Sequence, residues 1–291
     1  MSDAGAGEPA MFADLRHGSG RENDETRALD PRTSVTFPPG LFAPRPGRAA
    51  AGTMTLAAAA QELRITLRNG EQLLLALVIP LAALIGMSLV AVGDLPDPRV
   101  NTITPGVLAL AVMSAAFTSQ AITTGFDRRY GVLQRLAATG FPRWLLLAAK
   151  CAATAAVVAG QFAALCLVSW LALDWHPRGS AAWVVLLALL GVAAFVGLAL
   201  LLGGTLRAEA VLGLANLVWL LLVAIGGVLI PLTQGPGWLR VVGELTPAGA
   251  LSTGLRDVLT DGQAPGLGCL VALVVWTLAG WAATVRWFRW Q

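Results

Sequence analysis

The sequence predicts an all-α integral membrane protein with six transmembrane helices, preceded by an N-terminal interfacial amphipathic helix. Three observations predict this class. Hydrophobic residues make up 56% of the 291 residues, and charged residues only 13%, whereas soluble domains carry about 25% charged residues. Six apolar runs are each long enough to cross a bilayer as a helix, which takes roughly 20 residues. None of these runs alternates with period two, which excludes a strand barrel.

The first 52 residues differ from the rest in composition. They are rich in glycine, proline, arginine and acidic residues, and they show no hydrophobic period. The prolines at 38, 39, 44 and 46 resist regular structure. No basic start followed by an apolar core is present, so this is not a signal peptide. We expect residues 1–52 to form a disordered cytoplasmic tail and residues 53–291 to form the membrane domain.

Residues 53–70 carry a helical period. Leu56, Ala60, Leu63 and Leu67 recur on one face, which predicts an amphipathic helix. Such a helix can lie in the interface of the inner leaflet, with its arginines toward lipid phosphates. The alternative is a simple extension of the first span.

The six spans and their orientation follow from length and from the arginines. The spans are predicted at 72–92, 105–126, 144–171, 181–203, 210–230 and 267–285. One set of connections is richer in arginine than the other, and the richer side is normally cytoplasmic. This places both termini in the cytoplasm. The richer set contains Arg64, Arg68, Arg128, Arg129, Arg135, Arg143, Arg207, Arg286 and Arg289, and the poorer set Arg99, Arg178, Arg240 and Arg256.

The spans contain few groups that could drive transport or catalysis. None holds Asp, Glu or His, which most proton-coupled carriers and membrane metalloenzymes need. Lys150, the only lysine, lies near the predicted inner end of span three, where its amine is expected to snorkel to the interface. It is not part of a phosphate-binding GxxxxGK[ST] motif. Any energy for transport must therefore come from another polypeptide. The net charge of +3 is too small for a nucleic-acid partner.

The loop between spans two and three has the pattern of a docking segment. Val132, Leu133 and Leu136 form an apolar stripe flanked by arginines, and Gly140 and Pro142 end the segment. A short helix here could place its stripe in a groove on a partner. The alternative is a basic connector with no partner. The flanking arginines are Arg128, Arg129 and Arg135.

Uncharged polar residues indicate a candidate pathway. Span two is the most polar span, and Phe117, Gln120 and Thr124 share one of its faces; span five contributes Asn216 and Trp219. A pathway with such a lining would be mostly apolar and would suit amphiphiles, lipids or hydrophobic drugs. Hydrogen bonding between helices is the competing explanation for these polar residues.

Several features together resemble the permease subunits of ABC-2 type transporters. These are the amphipathic helix before span one, the six spans, the Thr104-Pro105-Gly106 entry to span two, the loop residues 131–136, and a long outer segment before span six. The loop reads Gly-Val-Leu-Gln-Arg-Leu. It departs from the family pattern because Gln134 replaces the usual acidic residue and the following turn is spaced differently.

The resemblance implies a type V-like exporter fold and a set of partners. It implies a coupling helix at about 129–136, and coupling roles for Arg128, Arg129, Val132, Leu133, Arg135 and Leu136, which would dock on a separate ATPase subunit. ATP and magnesium would be bound by that partner, and no cofactor by this chain. It further implies a second permease subunit, identical or related, membrane lipid around both, and an outer gate formed by the segment before span six. The expected location is the bacterial cytoplasmic membrane.

Two other functions are open at this point. A polytopic enzyme of lipid or isoprenoid metabolism would need paired carboxylates at the membrane surface. The only close outer pairs are Asp94 with Asp97 and Asp257 with Asp261. A structural or assembly protein without transport is the third possibility.

Overall fold

The computed structural model describes residues 50–90, 96–232 and 236–288, without the side chains of residues 71–75. The predicted tail lies outside the described residues up to residue 49. Every regular element in the described ranges is helical, which confirms the all-α class. The helices are α1 Ala51–Arg68, α2 Gly70–Leu89, α3 Val100–Met113, α4 Gln120–Arg129, α5 Val132–Ala138, α6 Arg143–Leu173, α7 Ala181–Thr205, α8 Ala208–Ile225, α9 Gly237–Leu245, α10 Pro247–Leu259 and α11 Leu267–Trp287, with a π-helical turn Ser114–Ser119 between α3 and α4.

Five helices are long and apolar enough to cross a membrane, as judged over the described residues. They are the continuous helix Val100–Arg129, formed by α3, the π-helical turn and α4, and then α6, α7, α8 and α11. Helix α2 occupies the place of the predicted first span, but its apolar stretch Ala76–Leu89 is shorter than the other five. Five of the six predicted spans are therefore supported by a helix of sufficient length. The sixth, and the orientation of all of them, remain predictions.

The span formed by α3, the π-helical turn and α4 is the centre of the bundle. Its most apolar window is 89% buried, compared with 22% for α6 and 17% for α8. Helices α6 and α8 thus leave most of their apolar surface for lipid or another chain. Helix α7 packs against the central span and against α11. At the contact with α11, Gly197 and Gly280 allow the two backbones to approach closely, as small residues do in membrane bundles.

Two prolines lie inside these helices, and each removes the backbone donor for the carbonyl four residues earlier. Pro80 in α2 leaves the carbonyl of Ala76 without its helical donor, and the side-chain amide of Gln161 in α6 donates to that oxygen at 3.0 Å. Pro105 in α3 does the same to Asn101, whose carbonyl accepts from the Thr260 hydroxyl at 2.7 Å. Because water is scarce in a membrane, these side chains replace the missing bonds.

These bonds also explain a difference in helix bounds. The sequence predicts that the second span begins at Pro105, whereas α3 begins at Val100. The helix continues through Pro105 because a residue distant in sequence satisfies the carbonyl that the proline leaves free. The fifth span ends earlier than predicted, at Ile225, where Gly226 and the positive-φ residue Gly227 follow.

The π-helical turn places an extra residue in the middle of the central span. It covers Ser114–Ser119, and the Ser114 hydroxyl donates to the Leu110 carbonyl at 2.9 Å. Such turns shift the side chains that follow around the helix axis, and they occur often at functional sites. Residues of α3 and α4 that would share one face of an uninterrupted α-helix therefore point in different directions around the axis.

Candidate functional site

The loop after the central span is built around one glycine. Helix α4 ends at Arg129, and Gly131 has a φ of 70°, in the left-handed region that glycine adopts without strain. The chain turns there, and α5 begins at Val132. The predicted helix at 129–136 is therefore wrong in its bounds, because the turn at residues 130 and 131 separates α5 from the span. We call the end of the bundle that carries residues 127–143 the loop end.

Helix α5 divides the predicted coupling residues into a buried and an exposed group. Leu133 is 1% exposed, and Leu136 is partly buried. Val132 is 46% exposed, and the neighbouring Tyr130 is 65% exposed. Arg135 also lies on the surface. The apolar stripe thus faces the protein at Leu133, while Tyr130, Val132 and Arg135 form a surface that a partner could contact.

The two arginines at the end of α4 bind the turn between α7 and α8. Arg128 donates from its two terminal nitrogens to the carbonyls of Gly204, at 2.6 Å, and of Leu206. These carbonyls end α7, where a cation is favoured by the helix dipole. Arg129 pairs with Glu209 in the first turn of α8. Arg128 and Arg129 therefore connect the loop to two further spans of the same chain.

A buried ion-pair cluster lies at the loop end, next to the last turn of α4. The Lys150 ammonium, 1% exposed, lies 2.9 Å from a carboxylate oxygen of Glu62 and 3.0 Å from one of Asp127. We call Glu62, Asp127 and Lys150 the lysine cluster. A buried ammonium is stable only when it is paired, so the cluster holds α1, α4 and α6 together at the loop end.

The lysine cluster corrects an expectation from the sequence. Lys150 does not snorkel toward the interface, because two carboxylates on other helices enclose its amine within the protein. The signal was present in the sequence: the only lysine lies in an apolar helix, and an acidic residue stands at the end of the preceding span. The period of α1 placed Glu62 off its apolar stripe but did not say which helix it would meet.

The five candidate lining residues do not form one surface within this chain. Phe117 is buried, and its ring meets that of Phe195 edge-on, with centroids 6.3 Å apart. Thr124 is buried where α4 approaches Gly203 of α7. Both residues therefore face α7 in the interior of the chain. Asn216 is exposed, and its amide donates to the Leu212 carbonyl of its own helix.

Gln120, Trp219 and the interior residue Thr124 are the lining candidates that have a polar atom without a partner among the described residues. The Gln120 Oε1 and Trp219 Nε1 atoms are inaccessible to solvent and have no partner among the described residues. The side chains stand on α4 and α8, which pack on each other. Because both atoms are inaccessible in this structure, an amphiphile or a second chain could satisfy them only after α4 and α8 move apart.

The opposite end of the bundle, which we call the hairpin end, carries α9 and α10. The Thr246 hydroxyl accepts from the Gly249 backbone at 3.0 Å, and Pro247 opens α10. Most of α10 is buried against α3, α7 and α11. It is therefore part of the bundle and not a surface helix. Whether it acts as a gate remains a prediction.

One arginine anchors α10 to the neighbouring segments. Arg256 donates to the carbonyl of Val228, just after α8, and its terminal nitrogen lies 3.0 Å from where a Cβ on Gly106 would stand. Burial lowers the pKa of the Arg256 guanidinium to about 10, so the group is still cationic at neutral pH. Burial also raises the pKa of the adjacent Asp257, whose carboxylate accepts from the Gly266 backbone at 3.1 Å.

The described residues offer little for the enzyme alternative. Among them, no three His, Cys, Asp or Glu side chains form a group that could hold a metal ion. Asp257 binds the backbone of Gly266, and Asp94 lies outside the described residues. A site of the kind that lipid or isoprenoid chemistry needs does not come together in this part of the chain.

Comparison with known proteins agrees with the architecture. A search of curated proteins finds no significant match. The family model of the ABC-2 type transporter matches residues 53–260, which is more than half of the chain and runs from α1 to the end of α10. With its membrane-spanning helices, the chain belongs to the ABC-2 type transporter family and is a multi-pass membrane protein of the transport type.

Proposed function

We propose that this chain is the permease subunit of a bacterial ABC exporter in the cytoplasmic membrane, and that a separate subunit hydrolyses the ATP. The observation that carries the proposal is the arrangement at the loop end. Helix α5 exposes a small mixed surface, and the residues at its base bind α6, α7 and α8 directly and α1 through Lys150.

The arrangement suggests how motion of a partner would reach the spans. A force on α5 acts through the Gly131 turn on the end of α4. The end of α4 is bonded to α7 through Arg128 and to α8 through Arg129. Its Asp127 pairs with Lys150 of α6, which in turn pairs with Glu62 of α1. ATP binding in the partner would bias the bundle between inward-open and outward-open states, as any ligand biases a two-state equilibrium.

A second permease subunit, identical or related, would complete the pathway. Helices α4 and α8 carry the polar candidates Gln120, Asn216 and Trp219, and α8 leaves most of its surface free of this chain. We infer a hydrophobic or amphiphilic substrate, such as a drug or a lipid-like molecule. An apolar pathway with a few amide and indole groups fits this class better than sugars or ions.

The docking proposal is tested by changing the exposed residues of α5. Arg135→Glu combined with Val132→Ser should abolish co-purification with an ATPase subunit and abolish export, while the permease stays folded because both residues are exposed. Arg178→Glu, the same charge change at an exposed residue in the connection between α6 and α7, is the control. Leu133→Asp is unsuitable, because it would place a charge in a buried position.

Retained co-purification in the α5 double variant would show that the partner docks elsewhere on the permease. The pathway is tested separately with Gln120→Leu and Asn216→Leu, which should alter export and substrate-stimulated ATP hydrolysis by the complex. If both variants transport like the parent chain, the proposed lining is wrong, even where the docking result holds.

A further inference from the structure

Two apolar grooves lie next to each other on α11 at the loop end. The narrower groove, of about 230 Å³, lies between the first turn of α6 and the last turn of α11. The wider groove, of about 610 Å³, runs along α11 from Leu278 to Arg286. Val285 lines both grooves and is 70% exposed. The two grooves therefore meet at this side chain.

Each groove has one arginine in its lining. Arg143, the first residue of α6, lines the narrower groove, and Arg286, in the last turn of α11, lines the wider one. Both residues are exposed, and none of the residues that line the two grooves is acidic. A guanidinium group has five donors and binds phosphate oxygens with two parallel bonds. The place where the grooves meet is therefore suited to a phosphate.

Two tryptophans indicate the depth at which these arginines lie in the membrane. Trp144 follows Arg143 and is 58% exposed, and Trp287 follows Arg286 and is 59% exposed. Exposed indole rings at the ends of spanning helices are typical of the headgroup level. The arginines thus lie at the level of lipid phosphates. From there the wider groove extends about 12 Å toward the membrane interior, because a helix rises about 1.5 Å per residue.

We propose that the two grooves bind an anionic phospholipid, with its phosphate at Arg143 and Arg286 and one acyl chain on each side of Val285. A phosphate that carries two acyl chains matches a site with cations at one end and two apolar surfaces leading away from it. Phosphatidylcholine has the same phosphate and chains, but its ammonium group would be repelled by the two guanidinium groups. The bound lipid would connect α6 and α11, which both pack on α7.

The experiment measures photolabelling of the purified full chain in nanodiscs of unlabelled phosphatidylcholine. One probe is phosphatidylglycerol with a diazirine in one acyl chain, and the other is phosphatidylcholine with the same chains. Peptides from a protease that does not cut at arginine are mapped by mass spectrometry. Near a membrane surface each arginine favours an anionic lipid by about fivefold. Phosphatidylglycerol should therefore label the residues of the two grooves at least fivefold more than phosphatidylcholine.

The role of the arginines is tested with two pairs of substitutions. Arg143→Gln with Arg286→Gln removes both cations from the grooves, so the two probes should label this variant equally. Arg64→Gln with Arg68→Gln removes two exposed arginines from α1 and changes the net charge by the same amount. This control should keep the preference for phosphatidylglycerol at the grooves.

The position of the acyl chains is tested with two valines of α11. Val285→Trp should place an indole ring where the grooves meet and reduce labelling by phosphatidylglycerol to the level of phosphatidylcholine. Val275→Trp adds the same ring at an exposed valine that lines neither groove, and it should leave the labelling unchanged. Both valines are exposed, so neither ring has to enter the core.

Equal labelling of the parent chain by the two probes overturns the proposal, and this comparison needs no variant. A preference that survives in the Arg143 and Arg286 pair also overturns it, because the preference would then have another source. The same holds if Val285→Trp is labelled like Val275→Trp, since the chains would then lie elsewhere. The ATPase subunit is absent from the sample, so failure of the proposed function does not affect the result.

Discussion

The hydroxyl of Thr260 donates at 2.7 Å to the carbonyl of Asn101, the oxygen that Pro105 leaves without its helical donor. Thr260 follows directly after α10, and Asn101 lies in the first turn of α3. The bond therefore joins the hairpin end to the central span, and it allows α3 to begin before its proline. Thr260, at the end of α10, therefore helps to determine where α3 begins.

This bond predicts a coupling between two substitutions. Thr260→Val keeps the size of the side chain but removes the donor, and it should lower the free energy of unfolding by about 1–2 kcal/mol. In a Pro105→Ala background the backbone supplies the donor, and the same change should cost less than about 0.5 kcal/mol. Chemical unfolding of the four chains in detergent measures the coupling. Equal losses in the two backgrounds would show that the hydroxyl does not serve this carbonyl.

The Thr104-Pro105-Gly106 entry should tolerate no side chain at its glycine. A Cβ atom on Gly106 would lie 2.2 Å from the backbone oxygen of Val228, which cannot move without displacing the segment after α8. Gly106→Ala should therefore destabilise the chain by about 1–3 kcal/mol. Gly86→Ala, where nothing lies within 4 Å, should be neutral or slightly stabilising because alanine favours helix. Similar melting temperatures for the two variants would contradict this close contact.

The lysine cluster should respond to substitution in a non-additive way. Glu62→Gln and Asp127→Asn each leave Lys150 one carboxylate, and each should cost about 1–2 kcal/mol. Together they leave a buried cation unpaired, which should cost about 3–5 kcal/mol. Adding Lys150→Met removes the charge and should restore most of the stability. If the triple variant is less stable than the double, the amine is not buried as described.

Asp257 should produce a pH dependence of stability. Burial raises the pKa of its carboxyl in the folded chain, so the folded state binds this proton more readily than the unfolded state. The resulting stabilisation is complete below the unfolded pKa of about 3.9 and is lost as pH rises through the folded pKa. Asp257→Asn should therefore be at least as stable as the parent chain at pH 7, and should lose that advantage toward pH 4.

Melting temperatures of both chains from pH 4 to pH 7 test this sign. Asp174→Asn, at an exposed carboxylate, is the control for the removal of one acid. The opposite result is a melting temperature of the parent chain that rises relative to that of Asp257→Asn as the pH increases. It would mean that the ionised carboxylate stabilises the fold through its bond to Gly266.

The elements of the fold could largely be predicted because they depend on local pattern. Apolar length placed α6, α7 and α11 within two residues of their bounds. The start of α3 could not be predicted, because it depends on Thr260, a residue distant in sequence. The turn at Gly131 was missed because the helix implied by the family resemblance, at about 129–136, runs through this glycine.

The candidate site could be predicted only in outline. Composition and the loop pattern indicated the loop end, but they assigned Leu133 to a partner when it packs within the chain. The pairing of Lys150 with two carboxylates and the bond of Gln161 to Ala76 were not predicted. Each depends on which helices are neighbours, and hydrophobic periodicity does not encode that. The π-helical turn likewise changes which residues share a face, so a uniform helical wheel grouped Phe117, Gln120 and Thr124 too simply.

The lysine cluster has a practical consequence that follows from the composition. Lys150 carries the only side-chain amine in the sequence, and that amine is closed off by Glu62 and Asp127. A reagent that acylates amines can reach it only when α1, α4 and α6 separate. An added mass on the peptide that contains Lys150 therefore records that the loop end has opened at least once. The chain already contains a chemical probe for separation of α1, α4 and α6.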